Sequence, residues 1–145
     1  MARGNIYSIS ISPERGQLKK EVPEANVIEN YGIENDGHGG QWGRQITCLN
    51  YSSVEKVNKE NNLNIGPGDF AENILIEGLD FSVLGVGNRL KLGASVILEI
   101  TQIGKEDHPS IVSRTFGVSL LPSEGLFCKA IKGGKIKKGD SVEII

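Results

Sequence analysis

The sequence has little cysteine, few aromatic residues and no excess of charge of either sign. Only Cys48 and Cys128 occur in 145 residues, which excludes a disulfide framework and a site of four thiolates. Reduced thiols, together with an N-terminus that lacks the apolar core of a signal peptide, predict a cytoplasmic protein. No apolar run approaches the roughly 18 residues of a membrane helix, so no membrane association is expected.

The charge distribution argues against a nucleic-acid partner. The 16 basic and 18 acidic residues leave a net charge of −2, and no basic stripe of the kind that binds nucleic acid is present. The stretch Lys132–Lys138 is rich in lysine but is interrupted by two glycines and an isoleucine. We interpret it as a solvated turn rather than as a phosphate-binding patch.

Glycine and short alternating apolar segments are abundant. The 19 glycines indicate many tight turns, because glycine readily adopts positive φ angles. Alternation of apolar with other residues predicts strands, as in Val96, Leu98 and Ile100. The predicted strands span residues 5–12, 24–28, 45–49, 73–76, 89–92, 95–103, 126–131 and 141–145.

Helices are expected to be few and short. Ser52 and Glu55 have the spacing of a capping box, which predicts a helix at about Ser53–Asn61. A brief second helix is indicated at Pro109–Phe116, because proline is tolerated in the first helical turn. The pattern predicts a mainly β chain, a compact barrel or sandwich with one or two short helices. No linker interrupts residues 1–145, which indicates a single domain.

The most informative candidate site is the loop Tyr31–Gly43, which contains five glycines and is followed by Arg44 and Gln45. A glycine-rich loop can direct backbone N–H groups at an anion, and arginine adds a planar fork suited to phosphate. Gln45 can supply an amide contact. The alternative is a surface loop in which Asp36 caps a turn and Arg44 pairs with a neighbouring acid.

Two further segments carry reactive side chains. In the turn Gly66–Asn73, Asp69 and Glu72 could form a carboxylate pair, or they could accept hydrogen bonds from the turn itself. Cys128 is the candidate nucleophile of the chain. Alternation places it with Leu126 and Ala130, which favours a buried and unreactive thiol.

Several common ligand sites are excluded by spacing. The sequence contains no phosphate-binding loop with a lysine after its glycines, no dinucleotide fingerprint and no calcium-binding loop. The side chains that could ligate zinc are His38, His108, Asp36, Asp107 and Cys48. Their spacing does not match a zinc site, so no metal site is predicted.

Four segments in order resemble the MOSC domain, a family named after the C-terminal domain of molybdenum cofactor sulfurases. They read G-I-E-N-D-G-H at 32–38, R-Q-I-T-C-L at 44–49, G-P-G-D-F-A-E-N-I at 66–74 and G-L-F-C-K-A-I-K-G-G-K-I-K-K-G-D-S-V at 125–142. The resemblance extends from Ile6 to Ile145 and implies a β-barrel-like fold. It also implies binding of molybdenum cofactor and, in some members, sulfur handling.

The resemblance implies a set of cofactor-binding residues. A basic residue precedes the first loop in the family, a position that Lys19 or Lys20 could match, and we assign it to Lys20. The remaining assignments lie in the matching segments: Asp36, His38, Arg44, Gln45, Glu72 and Asn73.

One departure from the family bears on catalysis. Members often have a cysteine in the segment that matches Gly104–Val112, and this chain has none there. Asp107, His108 or Ser110 could substitute as a ligand. The chain also lacks the domain that binds pyridoxal phosphate in full-length sulfurases, so pyridoxal phosphate is not expected here.

The expected function is therefore a binding or carrier domain for molybdenum cofactor that assists sulfur transfer with a partner. The partners implied are a phosphorylated pterin, cofactor biosynthesis proteins and molybdoenzymes. Two alternatives stay open. One is a small sulfurtransferase or reductase that uses Cys128, and the other is a non-catalytic barrel adaptor.

Overall fold

The computed structural model describes residues 3–107 and 109–145. Eleven strands, three α-helices and one turn of 3₁₀-helix (Phe81–Val83) are found in them. In chain order they are β1 Arg3–Ile11, β2 Lys20–Val22, β3 Glu24–Ile28, β4 Gly32–Ile33, β5 Ile46–Asn50, α1 Tyr51–Asn61, β6 Ile74–Glu77, β7 Arg89–Leu92, β8 Val96–Ile103, α2 Ile111–Phe116, α3 Leu121–Glu124, β9 Leu126–Lys132, β10 Gly134–Lys137 and β11 Ser141–Ile144.

Seven strands form a closed barrel. Around the barrel the order is β1, β6, β5, β9, β8, β7 and β11, and pairing of β11 with β1 completes the ring. Only β5 and β6 pair in parallel among these neighbours, and α1 connects them, as a parallel pair requires a crossover. The mainly β barrel predicted from the sequence is confirmed, with three helices rather than one or two. No helix in the described part of the chain could span a membrane.

The strand pleat divides the apolar residues into two clusters. Successive side chains on a strand point to opposite faces, so Ile46 and Cys48 of β5 lie inside the barrel whereas Thr47 and Leu49 face outward. On β9, Cys128 lies inside and Phe127 outside. The outer cluster packs beneath the helices. The outward faces of β5 and β9 form the floor of the candidate site.

Two local predictions from the sequence are wrong. The stretch Lys132–Lys138 is not a solvated turn, because its central residues form β10, which pairs with β3 and buries Ile136 completely. The helix α1 is capped by Asn50, whose side chain accepts a hydrogen bond from the backbone N–H of Ser52, and not by a Ser52–Glu55 box. For β10 the deciding partner is a distant strand, whereas for α1 it is the residue directly before the helix.

Candidate functional site

A cleft of about 400 Å³ opens on the outer face of the barrel above Thr47 and Phe127. The loop before β5 and the segment between β8 and β9 form its walls. Its lining combines basic, aromatic and aliphatic side chains, and we call it the basic cleft: Gly16, His38, Trp42, Arg44, Thr47, Ala71, Lys105, Pro109, Ser110, Ile111, Val112, Arg114, Ser119, Leu121 and Phe127.

Three permanent cations line the basic cleft: Arg44, Lys105 and Arg114. Across the described chain, residues 3–107 and 109–145, neither Lys105 nor Arg114 forms an ion pair with a carboxylate. The cleft therefore carries a positive potential that favours an anionic ligand.

Arg44 is held by neutral and charged contacts at the cleft wall. Its Nε donates to Oε1 of Gln102 at 3.3 Å, and its terminal nitrogen lies 3.4 Å from Oε2 of Glu106. The guanidinium carbon stands 5.1 Å from the ring centroid of Phe127, within the range of a cation–π contact. Because the Glu106 carboxylate is 66% exposed, this ion pair is weak and a ligand anion can compete for the guanidinium.

The glycine-rich loop does not offer the array of anion-binding N–H groups that the sequence indicated. The backbone N–H of Gly37 donates to the carbonyl of Ser12, and that of Gly40 donates to the carbonyl of Tyr31. The N–H groups of Asp36, Gly39 and Trp42 likewise donate to carbonyls of the protein, and that of His38 donates to Oδ2 of Asp36. The loop serves as a rigid wall that positions His38 and Trp42.

A buried ion pair stands behind that wall. The Lys19 ammonium donates to Oδ1 of Asp36 at 2.8 Å, and both side chains are fully buried. The same ammonium contacts Oγ of Ser12 at 3.2 Å and Nδ1 of His38 at 3.0 Å. Lys20, which we assigned from the sequence, lies exposed on β2 and takes no part in this cluster. Lys19 is the basic residue that the fold brings to the site.

His38 forms part of the cleft wall together with Trp42. Its carbonyl accepts a hydrogen bond from Nε1 of Trp42 at 2.7 Å, and the guanidinium of Arg15 lies 4.0 Å from the centroid of the Trp42 ring. Burial, followed by repulsion from Lys19, lowers the pKa of His38 from 6.5 to about 4, although Asp36 opposes the shift. The imidazole is therefore neutral at neutral pH.

Gln45, Glu72 and Asn73 are buried and bond to the backbone rather than lining the cleft. Oε1 of Gln45 accepts from the Ala130 N–H at 2.8 Å. The carboxylate of Glu72 accepts from N–H groups of its own turn, at residues 68 and 70. The amide of Asn73 accepts from the N–H of residue 47 and donates to the carbonyl of residue 10, so it joins two strands. Their assignment as ligand-binding residues stays a prediction without geometric support.

Both cysteines lie in the barrel interior with no exposed surface. A hydrogen bond with Cys48, and then burial, raise the pKa of the Cys128 thiol well above its usual value. The burial predicted for Cys128 is confirmed. A thiolate, the reactive form, is disfavoured there, and neither sulfur faces the basic cleft.

The segment Gly104–Val112, which contains no cysteine, contributes to the cleft through other groups. Lys105 and Ser110 line it, whereas His108, which we named as a substitute ligand, lies outside the described residues. Within the described ranges no three His, Cys, Asp or Glu side chains come together as a metal site. Sequence analysis missed Lys105, Arg114 and Trp42, since no local motif distinguishes them from surface residues.

Comparison with known proteins identifies relatives at the level of the domain. Residues 35–143 match the model of a family described as the MOSC domain. No curated protein matches the chain.

Solved structures show the same fold. The YuaD protein from Bacillus subtilis is similar with a TM-score of 0.78 and 16% identity, over 98% of this chain and 95% of that one. YiiM from Geobacillus stearothermophilus gives 0.77 and 17%, over 98% and 75% of the two chains. YiiM from Escherichia coli gives 0.70 and 18%, over 97% and 69%.

Proposed function

The chain belongs to the MOSC domain family, and from that membership we propose that it is a binding or carrier domain for molybdenum cofactor. The ligand occupies the basic cleft, and its phosphate is held by Arg44, Lys105 and Arg114. We place the protein in the cytoplasm, where it would exchange the cofactor with biosynthesis proteins or molybdoenzymes and assist sulfur transfer there.

The observation that carries the proposal is the convergence of three cations on one cleft of ligand size. A volume of about 400 Å³ lies within the range of small-molecule sites. Arg44 offers a planar fork that matches phosphate oxygens, and Lys105 and Arg114 add charge from the segment between β8 and β9. A non-catalytic barrel adaptor that binds no cofactor would not require three cations in one cleft.

The donor set fits the cofactor's organic part. Trp42 and Phe127 provide aromatic surface for a flat pterin ring, and the cations suit its phosphate. When bound, the cofactor would supply its molybdenum as the reactive centre. The residues of this chain would bind and orient the pterin, and no thiol of the chain lines the cleft.

The alternative of a sulfurtransferase or reductase that uses Cys128 finds no support in the geometry. A nucleophilic thiol needs access to its substrate and a lowered pKa. Cys128 is fully buried, and its pKa is raised. We therefore do not develop this alternative.

Replacing Arg44 with alanine tests the proposal. Because a hydrogen bond to a charged group contributes about 1.5–3 kcal/mol, the affinity for an oxidised, fluorescent phosphorylated pterin should fall roughly tenfold to a hundredfold. Arg44→Lys should recover part of the loss, since a point charge cannot reproduce the fork. Fluorescence titration of wild type and both variants measures the effect.

Two controls make the test specific. Arg89→Ala removes an arginine of β7 that pairs with Glu99 and does not line the cleft, so it should leave affinity unchanged. The dephosphorylated pterin should bind wild type and Arg44→Ala equally. An affinity for the phosphorylated pterin that is unchanged in Arg44→Ala, with melting curves superimposed, would return Arg44 to a structural role.

A further inference from the structure

Each of the three N–H donors of the buried Lys19 ammonium has one neighbouring polar atom. An ammonium has three donors and no acceptor. Its three neighbours are a carboxylate oxygen of Asp36 at 2.8 Å, the Nδ1 of His38 at 3.0 Å and the hydroxyl of Ser12 at 3.2 Å. A buried charge is tolerated only where its donors are satisfied, so each neighbour must present a lone pair to Lys19.

The fold holds Lys19 at this point through its backbone. The N–H of Lys19 donates to the carbonyl of Gly68, and Gly68 has a φ of +82°. A Cβ added at Gly68 would come within 2.1 Å of the Lys19 carbonyl oxygen, so only glycine allows this approach. The G-P-G turn is thus one support of the cluster, which gives that segment a role in positioning the ammonium.

The requirement at Lys19 determines the tautomer of His38. Nδ1 must be an acceptor, and a neutral imidazole with an acceptor at Nδ1 carries its proton on Nε2. A proton on Nδ1 would face the ammonium across 3.0 Å. The ring is also held through the backbone, because the His38 N–H donates to Oδ2 of Asp36 and its carbonyl accepts from Nε1 of Trp42.

We propose that the Lys19–Asp36 pair fixes His38 as a neutral donor whose Nε2–H binds an anionic oxygen of the ligand in the basic cleft. This inference rests on the proposed function for the identity of the natural ligand. His38 lines the cleft with 22% of its side chain exposed. Its hydrogen bonds to the described residues engage Nδ1, the backbone N–H and the carbonyl, and none of them engages Nε2. Lys19 and Asp36 act as positioning residues.

The charges around His38 support this assignment. Three cations face the ring from different elements: Lys19 from the segment before β2, Arg15 from the turn after β1, and Lys105 from the segment after β8. Among the described residues, Asp36 is the anion that offsets them, and it is already bonded to Lys19. Burial, together with these cations, lowers the pKa of His38 to about 4.

A neutral donor has a functional consequence that a titrating histidine would not have. The permanent cations attract the anion by their charge, whereas neutral His38 donates a directional hydrogen bond to it. Between pH 5 and 8 its contribution to anion affinity should be constant. A histidine with an ordinary pKa would bind anions more tightly as the pH fell through about 6.5.

The tautomer can be tested without any ligand. The chain has two histidines, so ¹⁵N spectra of the imidazoles are simple, and His38→Asn assigns the signals of His38 by their loss. We expect Nε2 to be protonated and Nδ1 unprotonated from pH 8 down to pH 5. Titration of His38 near pH 6.5, or a proton on Nδ1, overturns the proposal.

Two substitutions at His38 separate donation to the ligand from acceptance from Lys19. Asparagine can keep an acceptor near the Nδ1 position but has no group at the Nε2 position, whereas glutamine places its amide nitrogen near Nε2. Inorganic sulfate is the probe, because its charge does not change between pH 5 and 8. His38→Asn should weaken sulfate binding about tenfold in chemical-shift titrations, and His38→Gln should recover part of it.

The outcomes distinguish this inference from the proposed function. Sulfate affinity that is unchanged in His38→Asn, or no saturable sulfate binding in wild type, overturns the role of His38. Sulfate binding that depends on His38, combined with failure of the phosphorylated pterin to bind wild type, overturns the proposed cofactor and leaves the anion donor in place. Melting curves of both variants confirm that the fold is intact.

Discussion

Glu72 shows at the scale of a single residue how burial changes chemistry. Its side chain is enclosed in the turn before β6, and burial raises its pKa from 4.5 to about 7. Hydrogen bonds from the N–H groups of Gly68 and Phe70 lower the pKa but do not cancel the effect of burial. The folded protein therefore binds a proton at Glu72 that the unfolded chain releases at lower pH.

The raised pKa of Glu72 should make the free energy of unfolding depend on pH. Because the folded-state pKa is raised, the contribution of Glu72 is full below pH 4.5 and is lost as the pH rises to about 7, by up to about 3 kcal/mol. Glu72→Gln removes this titration. Urea unfolding should therefore show that the stability of wild type relative to Glu72→Gln falls between pH 4.5 and pH 7.5.

His38 makes the comparison with a variant necessary. Its lowered pKa produces the opposite trend, since its contribution is full above pH 6.5 and is lost as the pH falls towards 4. The difference between wild type and Glu72→Gln cancels this second effect. Glu60→Gln, at an exposed position of α1, is the matched control and should show no such difference. A difference for Glu72→Gln that is constant with pH would contradict the raised pKa.

At the scale of elements, β10 shows how a neighbouring strand overrides composition. Three of its four residues are lysines or glycine, and an isolated segment of this kind would be a solvated turn. Pairing with β3 along four residues places Ile136 in the barrel cluster and leaves Lys135 and Lys137 in solvent. The alternation is that of a strand with one apolar residue.

Truncation of Ile136 tests this assignment. Ile136→Ala should lower the free energy of unfolding by about 2–5 kcal/mol, because it removes buried methyl groups and leaves a cavity. Lys137→Ala, at the exposed neighbouring position, should change it by less than about 0.5 kcal/mol. Urea denaturation of the two variants decides the matter, and equal small effects would restore the interpretation as a turn.

At the scale of the whole molecule, closure of the barrel controls access to the thiols. Pairing of β1 with β11 completes the ring, and Cys48 and Cys128 lie within it. A closed barrel has no free edge along the strands of its ring at which it could open locally. A thiol reagent can therefore reach the two cysteines only after the barrel unfolds.

The thiols should consequently report global unfolding. At neutral pH a thiol reagent should label native protein slowly, and the rate should rise in urea in proportion to the unfolded fraction. Two thiols per chain should react in fully unfolded protein. Cys128→Ala should leave one slow thiol. Rapid labelling of Cys128 in the native state, with the unfolding curve unchanged, would revive the enzymatic alternative.

The sequence by itself determined the seven strands of the barrel and their inward face, whereas β2, β4 and β10 were not predicted. Alternation with a period of two is a local property, and it correctly placed Cys128 inside with Leu126 and Ala130. Turn residues and the four ordered segments led to the fold and the family. They also led to Arg44 and His38, because both stand in or beside the glycine-rich loop that becomes a wall of the cleft.

Only the tertiary structure decided which polar side chains face the cleft. Lys105 and Arg114 reach it from more than 60 residues beyond Arg44, and no local pattern encodes that approach. Lys19 and Lys20 are neighbours of the same type, yet one is buried against Asp36 and the other lies in solvent. Outside the regular strands, the direction of a side chain depends on which distant segments closure of the barrel brings beside it. Local sequence preferences do not contain that information.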